Sequence, residues 1–156
     1  MALHLTDHRA GFGPGLTEVT RIGEAEDDTG IGFAVLKLVA GDTLETTAAV
    51  ETAWLLMEGR ARVMAGDLTA AFARTSLFDE SSSCVHVAAG TRVKLACETA
   101  CEFTVYTVNN TKPFAPRIFA PKDVPNEHRG AGQVGGACLR FVRTIFDGSN
   151  SDANSE

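Results

Sequence analysis

The chain has 156 residues, of which 44% are hydrophobic and 22% are charged, and its formal net charge is −6. These values predict one compact domain and exclude wholesale disorder, while the negative charge argues against a nucleic-acid partner. The longest apolar runs, such as residues 53–57, are too short to cross a bilayer, and no secretory signal is visible at the N-terminus. We therefore expect a cytoplasmic protein whose partners include neither nucleic acid nor a membrane.

The apolar residues recur with a period of two, which is the period of β-strands. Within residues 91–95, Val93 and Leu95 lie on one face while the cations Arg92 and Lys94 lie on the other. We predict nine strands, in chain order at 16–22, 32–39, 52–57, 60–65, 68–74, 84–87, 92–96, 102–108 and 137–145. Short strands separated by turn residues, without long helices, predict an all-β sandwich or barrel.

The segments outside these strands differ in composition. Residues 24–28 form an acidic stretch that we expect to be solvated, and residues 43–51 contain three Thr, which makes a helix a poor prediction. Four of the five prolines fall between residues 112 and 125, which excludes a central strand there. We therefore divide the chain into an extended arm at 1–15, a β-barrel at 16–110, a Pro- and Gly-rich connector at 111–136, a closing strand at 137–146 and a flexible polar tail at 147–156.

Four cysteines could be structural or could form a metal or redox site. Cys97 and Cys101 are separated by three residues, a spacing that matches neither redox motifs nor the repeated pairs of zinc sites. In a reducing compartment, the simplest interpretation of Cys84, Cys97, Cys101 and Cys138 is that they are small buried hydrophobes.

Residues 126–145, NEHRGAGQVGGACLRFVRTI, are the most informative segment. Glu127, His128 and Arg129 precede a Gly-rich linker, and a strand-like run with alternating basic and apolar residues begins near Arg140. The segment resembles the end of the first half of the bacterial 5-deoxy-glucuronate isomerases of myo-inositol breakdown, which share a family with the 5-keto-4-deoxyuronate isomerases. The resemblance covers nearly the whole chain but only the first half of the enzyme.

The resemblance implies a cupin, which is a small jelly-roll β-barrel. A metal-binding cupin carries two His and a Glu in one motif and a last His in a second motif. Here residues 46–49 occupy the place of the paired imidazoles, Glu51 lies near the carboxylate position, and Val93 stands where the last His would be. Thr, Ala and Val cannot supply imidazole nitrogens to a divalent metal. We expect no metal and no cofactor in this chain, and a divalent metal only in the second cupin half.

The four histidines offer few other ligands. His4 and His8 lie on the arm, without helical support. His86 lies in a predicted strand between Val85 and Val87, where a lone His is more often a hydrogen-bonded or surface residue than a metal ligand.

The predicted site residues are therefore Glu127, His128, Arg129 and Arg140. In a functional interpretation, His128 or Arg129 binds a sugar carboxylate or a neighbouring domain, because guanidinium binds carboxylate in bidentate fashion. In a structural interpretation, Glu127 and Arg129 form an ion pair and Gly130 makes the turn, which organises a domain junction. No catalytic residue can be assigned.

The resemblance implies an aldose–ketose isomerisation that interconverts 5-deoxy-glucuronate and 2-deoxy-5-keto-gluconate. We expect this chain to be the N-terminal cupin half of such an isomerase, inactive alone, with a sugar-acid substrate and with a second cupin domain or further copies of itself as partners. The alternatives are a non-catalytic module that binds a small carbohydrate or acid, and a purely structural half. A pocket lined by polar groups would favour binding, and a barrel mouth filled by Phe and Leu would favour a structural role.

Overall fold

The fold is taken from a computed structural model, which describes residues 9–24 and 29–156. Most of the predicted arm, with His4 and His8, and most of the predicted acidic loop lie outside the described residues. The strands are β1 (Gly15–Thr20), β2 (Ile31–Leu38), β3 (Thr43–Thr47), β4 (Glu51–Ala65), β5 (Leu68–Arg74), β6 (Cys84–Val87), β7 (Arg92–Cys97), β8 (Cys101–Val108), β9 (Arg117–Phe119), β10 (Asn126–Arg129) and β11 (Arg140–Arg143). Short 3-10 turns lie at Pro121–Asp123 and Gln133–Gly136.

Two antiparallel sheets form a jelly-roll barrel, which confirms the predicted all-β class. The larger sheet runs β1-β2-β8-β4-β6-β9, and β4 also pairs with β5 and β7, while β3 pairs with β7. Each barrel strand turns one face inward, because side chains alternate across a strand. The inward residues form one apolar core that includes Trp54, Leu56, Phe72, Leu95 and Phe103. The interior of the barrel is therefore packed with side chains.

The long strand β4 crosses from one sheet to the other. It pairs with β6 and β8 through its first half and with β5 and β7 through its second half. We predicted two strands here, at 52–57 and 60–65, with a turn between them. Gly59 instead adopts a φ of 109° within a continuous strand, next to a register shift between Leu56 and Glu58. A Cβ at Gly59 would lie 2.7 Å from the Sγ of Cys101, so a Gly at this bend permits close strand packing.

Strand β3 was not among the predicted strands. It pairs with β7, and Thr46 lies opposite Val93. The Thr residues that disfavour a helix in this segment are β-branched, and such side chains fit a pleated sheet.

The predicted closing strand at 137–146 does not join the barrel. Its central part, β11, pairs with β10 in a separate two-stranded sheet, with Asn126 opposite Arg143. Gly130 has a φ of 74°, and the glycines that follow let the chain reverse direction locally. The closing strand therefore finds its partner within the predicted connector.

The predicted connector at 111–136 also contains an edge strand. Strand β9 pairs with β6 on one side only, and it lies between Pro116 and Pro121. Proline is tolerated at sheet edges because an edge strand leaves some N–H groups unpaired.

The chain after β8 covers the outer face of the larger sheet. Ile145 and Phe146 pack against a second apolar cluster that contains Ala53, Cys84 and Phe119. No helix within the described ranges is both long and apolar enough to span a membrane.

The four cysteines are free thiols, and Cys84, Cys97 and Cys101 are buried. Burial raises the pKa of Cys84 to about 12. Burial and then the neighbouring Cys101 raise the pKa of Cys97 to about 12. These thiols are protonated at neutral pH, so they behave as the predicted small core residues.

Candidate functional site

A buried polar cluster lies on the outer face of the larger sheet, where β4 begins. Glu51 is 3% exposed and His86 is 1% exposed, and the Oε1 of Glu51 lies 2.7 Å from the Nε2 of His86. Ala53 lies directly opposite His86 in the sheet register. Because Glu51 precedes Ala53 by two residues, both side chains leave the strand on the same face.

Three further donors converge on the carboxylate of Glu51. The Nδ2 of Asn110 lies 2.6 Å from Oε2, the hydroxyl of Ser155 lies 2.7 Å from Oε1, and the backbone N–H of Glu156 donates to Oε2 at 3.1 Å. Burial alone would raise the pKa of Glu51, but the hydrogen bonds from Ser155, Asn110, His86 and Glu156 together hold it below the ordinary value. The cluster therefore stabilises an ionised carboxylate.

Residues 147–156 are held against the barrel by this cluster. In addition to the bonds from Ser155 and Glu156, Asn110 donates to the backbone carbonyl of Asn154 at 2.6 Å. Lys112 forms an ion pair with the side chain of Glu156 at 2.6 Å. The structure thus places an anchored segment where the sequence predicts a flexible tail, because the polar side chains of that segment satisfy a buried carboxylate.

The imidazole of His86 lies among aromatic rings. Phe146 stacks on it with ring centroids 4.6 Å apart and an interplanar angle of 10°, and Phe114 lies 4.9 Å away. Its Nε2 bonds to Glu51, while its Nδ1 is buried without a hydrogen-bond partner. This is the hydrogen-bonded environment that the sequence favours for a lone strand His.

The positions that correspond to cupin metal ligands do not fit a metal. Ala48 and Val93 are buried in the barrel core, and Glu51 projects from the opposite face of the sheet, away from that core. Nowhere between residues 9 and 24 or between 29 and 156 do three or more His, Cys, Asp or Glu side chains form a group that could hold a metal ion. The residues present at these positions are apolar, so we derive no chemistry through a metal here.

The predicted site residues lie together on the β10–β11 hairpin. The guanidinium of Arg129 pairs with the carboxylate of Glu127 at 2.8 Å, as the structural interpretation expects, and Arg140 lies directly opposite Arg129. The ring of His128 contacts the edge of Phe141 with centroids 4.7 Å apart. None of these residues is part of the cluster around Glu51, and a role for the four in binding stays a prediction.

An open cleft of about 670 Å³ separates this hairpin from the loop that follows β5. Its walls include Phe78 and Asp79 from the loop and Arg140, Phe141 and Arg143 from the hairpin. The sequence pointed to Arg140 but not to this loop, because residues 76–81 carry no motif.

The cluster around Glu51 was also missed by sequence reasoning. Glu51 and His86 were each noted, but as an isolated cupin position and as a lone strand His. Asn110 and Ser155 gave no signal, because they meet Glu51 only after the chain has crossed the sheet. The available signal was the equal alternation of β4 and β6, which places Glu51 and His86 on the same side of their strands as Ala53 and Cys84.

The comparison with protein families identifies a match over nearly the whole chain. The model of the KduI/IolB family matches residues 5–155. No curated protein matches the sequence.

Solved structures show the same fold. An IolB-like protein of Salmonella typhimurium LT2 is 25% identical with a TM-score of 0.73, over 90% of this chain and 53% of its own. The chain therefore spans about half the length of that protein. A cupin superfamily protein of Desulfitobacterium hafniense DCB-2 is 11% identical with a TM-score of 0.47, over 61% of this chain and 76% of its own. The fold is a cupin-type jelly roll, and the chain belongs to the KduI/IolB family.

Proposed function

We propose that this chain is the N-terminal, metal-free cupin half of a sugar-acid isomerase that interconverts 5-deoxy-glucuronate and 2-deoxy-5-keto-gluconate. The main support is the comparison with the IolB-like protein, which matches 90% of this chain but only 53% of its own length. Membership of the KduI/IolB family supports the class of substrate. The second cupin half then supplies the reactive groups.

The chemistry explains why this barrel does not carry the reaction alone. Isomerisation moves a proton between adjacent carbons, so a base and an electrophile for the developing oxyanion must share one pocket. The barrel interior holds Trp54, Leu56 and Phe103, and the ligand positions hold Ala48 and Val93. The buried Glu51 lies on the outer face, where its hydrogen bonds are already occupied. This half therefore serves as a scaffold for the catalytic half.

A second candidate function is a module that binds a small sugar acid without converting it. The filled barrel argues against binding inside the barrel. The open cleft beside the hairpin, with Arg140 and Arg143 in its walls, favours binding at the surface. The two functions are compatible, because a scaffold half can also hold substrate.

An activity assay tests the proposal. The isolated chain, and the chain fused to the second half of the Salmonella IolB-like protein, are incubated with 5-deoxy-glucuronate and divalent metal, and product is followed by NMR. The intact IolB-like protein is the positive control. We expect no enzymatic turnover by the isolated chain and metal-dependent turnover by the fusion.

Two results would overturn the proposal. One is metal-dependent turnover by the isolated chain that is abolished by His128→Ala, which would place the active site in this half. The other is a folded fusion, as judged by circular dichroism, that shows no turnover while the intact control is active.

A further inference from the structure

Uncompensated positive charge surrounds the cleft between the hairpin and the loop after β5. The guanidinium of Arg143 donates to the backbone carbonyls of Leu77 at 3.4 Å and Phe78 at 2.7 Å. Arg74, which is buried beneath the same loop, also donates to the carbonyl of Leu77, at 3.1 Å. The Nε atoms of Arg74 and Arg143 are buried without a hydrogen-bond partner. Two cations thus share one neutral acceptor.

The pKa of Arg74 reflects this arrangement. It is lowered first by burial and then by the charge of Arg143, against a smaller opposing effect of Glu80. The carboxylate of Glu80 accepts hydrogen bonds from Thr75 and lies outside ion-pair distance of both cations. An additional anion would therefore find a favourable potential at the loop.

Arg140 adds a third cation at the cleft. It is exposed, and its side chain forms no ion pair or hydrogen bond within the part of the chain that the structure describes. The carboxylate that lines the cleft is that of Asp79, which accepts a hydrogen bond from the hydroxyl of Ser76 at 2.7 Å. The cleft walls thus carry two cations and one anion, on a chain whose net charge is −6.

Apolar rings flank these charges. Phe78 is 84% exposed and Phe141 is 56% exposed, and both line the cleft next to Asn126, which lies opposite Arg143 in the hairpin. Exposed rings offer flat surfaces for the C–H face of a sugar ring, and the Asn amide can bond to hydroxyl groups. The combination of guanidinium, amide and aromatic groups is typical of sites that orient a polar ring compound.

We propose that the cleft between the β10–β11 hairpin and the loop after β5 binds the carboxylate of a uronic acid, with Arg140 as its main cation. Guanidinium binds carboxylate through paired, charge-assisted hydrogen bonds. Arg143 shapes the wall and adds positive charge, while Phe78 and Phe141 contact the sugar ring. The inference rests on the proposed function for the choice of a sugar acid, but it requires no catalysis.

Calorimetric titration of the isolated chain with D-glucuronate tests the site, with D-glucose as the uncharged control. We expect binding of glucuronate in the millimolar range, weakened by added salt, and no binding of glucose. Arg140→Ala should weaken binding about tenfold, in line with the loss of a charge-assisted hydrogen bond. Arg140→Lys should weaken it less. Arg62→Ala, which removes an exposed arginine on β4, is the matched control and should change nothing.

A second variant distinguishes anion binding from general apolar binding. Asp79→Asn removes the opposing charge and keeps an acceptor for Ser76, so it should tighten glucuronate binding a few-fold. Circular dichroism and thermal unfolding establish that each variant is folded. Equal binding of glucose and glucuronate, no detectable binding of glucuronate, or weaker binding by Asp79→Asn would each overturn the inference.

The outcome is separable from that of the activity assay. If the fusion isomerises 5-deoxy-glucuronate while the chain does not bind glucuronate, the site is refuted and the proposed function stands. If the chain binds glucuronate through Arg140 while the folded fusion shows no turnover, the site stands and the proposed function is refuted.

Discussion

Replacing Glu51 by Ala measures how strongly the buried polar cluster stabilises the protein. The substitution removes the acceptor for His86, Asn110, Ser155 and the backbone N–H of Glu156. His86 and Asn110 are only 1% and 3% exposed, so their freed donors gain no water in the folded state. A buried polar group that loses its partner carries its full desolvation penalty.

The expected magnitude follows from this burial. Removing one partner of a buried charged pair destabilises a protein by about 3–5 kcal/mol. For a domain of this size, each kcal/mol lowers the unfolding midpoint by about 2–4 °C, so we expect a fall of about 6–20 °C. Glu45→Ala is the matched control, because the exposed carboxylate of Glu45 pairs with Arg92 at 3.1 Å on the surface. That change should cost less than about 1 kcal/mol.

The pH dependence gives an independent check. The pKa of Glu51 lies below the ordinary value of 4.5 in the folded protein. The stabilisation from a depressed pKa is therefore fully present above the unfolded-state pKa and is lost as the pH falls through the folded-state pKa. The unfolding midpoint of the wild-type protein should fall more steeply below about pH 4.5 than that of Glu51→Gln.

Thermal unfolding followed by circular dichroism, at neutral pH and over an acid series, measures both effects. Equal destabilisation by Glu51→Ala and Glu45→Ala, or parallel pH profiles for the wild type and Glu51→Gln, would refute the reasoning. Hydrogen exchange at Ser155 and Glu156 then shows directly whether the terminal segment is released.

Three further outcomes are expected. Gly59→Ala should destabilise the protein by about 2 kcal/mol or more in urea unfolding, because a φ of 109° and close contact with Cys101 both oppose a Cβ. Gly41→Ala, which shares the positive φ but has no neighbouring atom within 4 Å, should have a smaller effect. Elemental analysis should find no stoichiometric zinc, manganese or iron, and one metal per chain that is lost with His86→Ala or His128→Ala would contradict this. Light scattering should show a homodimer or larger species, because exposed apolar groups such as Phe78 favour association, and a clean monomer at high concentration would argue against it.

The barrel could be predicted from the sequence because its signal is local. In β7, Val93 and Leu95 alternate with Arg92 and Lys94, and the structure buries the first pair in the core. Such alternation identifies a strand and its buried face without any knowledge of its partner. Eight of the nine predicted strands coincide with barrel strands for this reason, although two of the eight proved to be halves of β4.

The errors arose where one local signal has two structural meanings. Gly59 with its preceding Glu resembles a turn, yet a positive φ also serves a bend inside a continuous strand. The alternation in residues 137–145 predicts a strand but does not specify its partner, and the Gly-rich linker lets it pair with β10. Edge and hairpin pairings depend on chain reversal, which period-two patterns do not record.

The polar cluster could not be predicted because its members are distant in the chain. His86 lies 35 positions from Glu51, Asn110 lies 59 positions away and Ser155 lies 104 positions away. Each residue taken alone has an ordinary surface interpretation. Only the fold brings them together, and only burial makes their hydrogen bonds obligatory.

Apolar and polar contacts have different roles in attaching the terminal segment to the barrel. Ile145 and Phe146 bury apolar surface against the outer face, and such burial is favourable but has no preferred direction. The two oxygens of Glu51 accept directed hydrogen bonds, which fix the positions of Ser155 and Glu156 along the sheet. A buried ion pair adds little stability over apolar residues of the same shape. The main physical effect of the cluster is therefore to position residues 147–156, while the apolar contacts supply the burial that keeps them there.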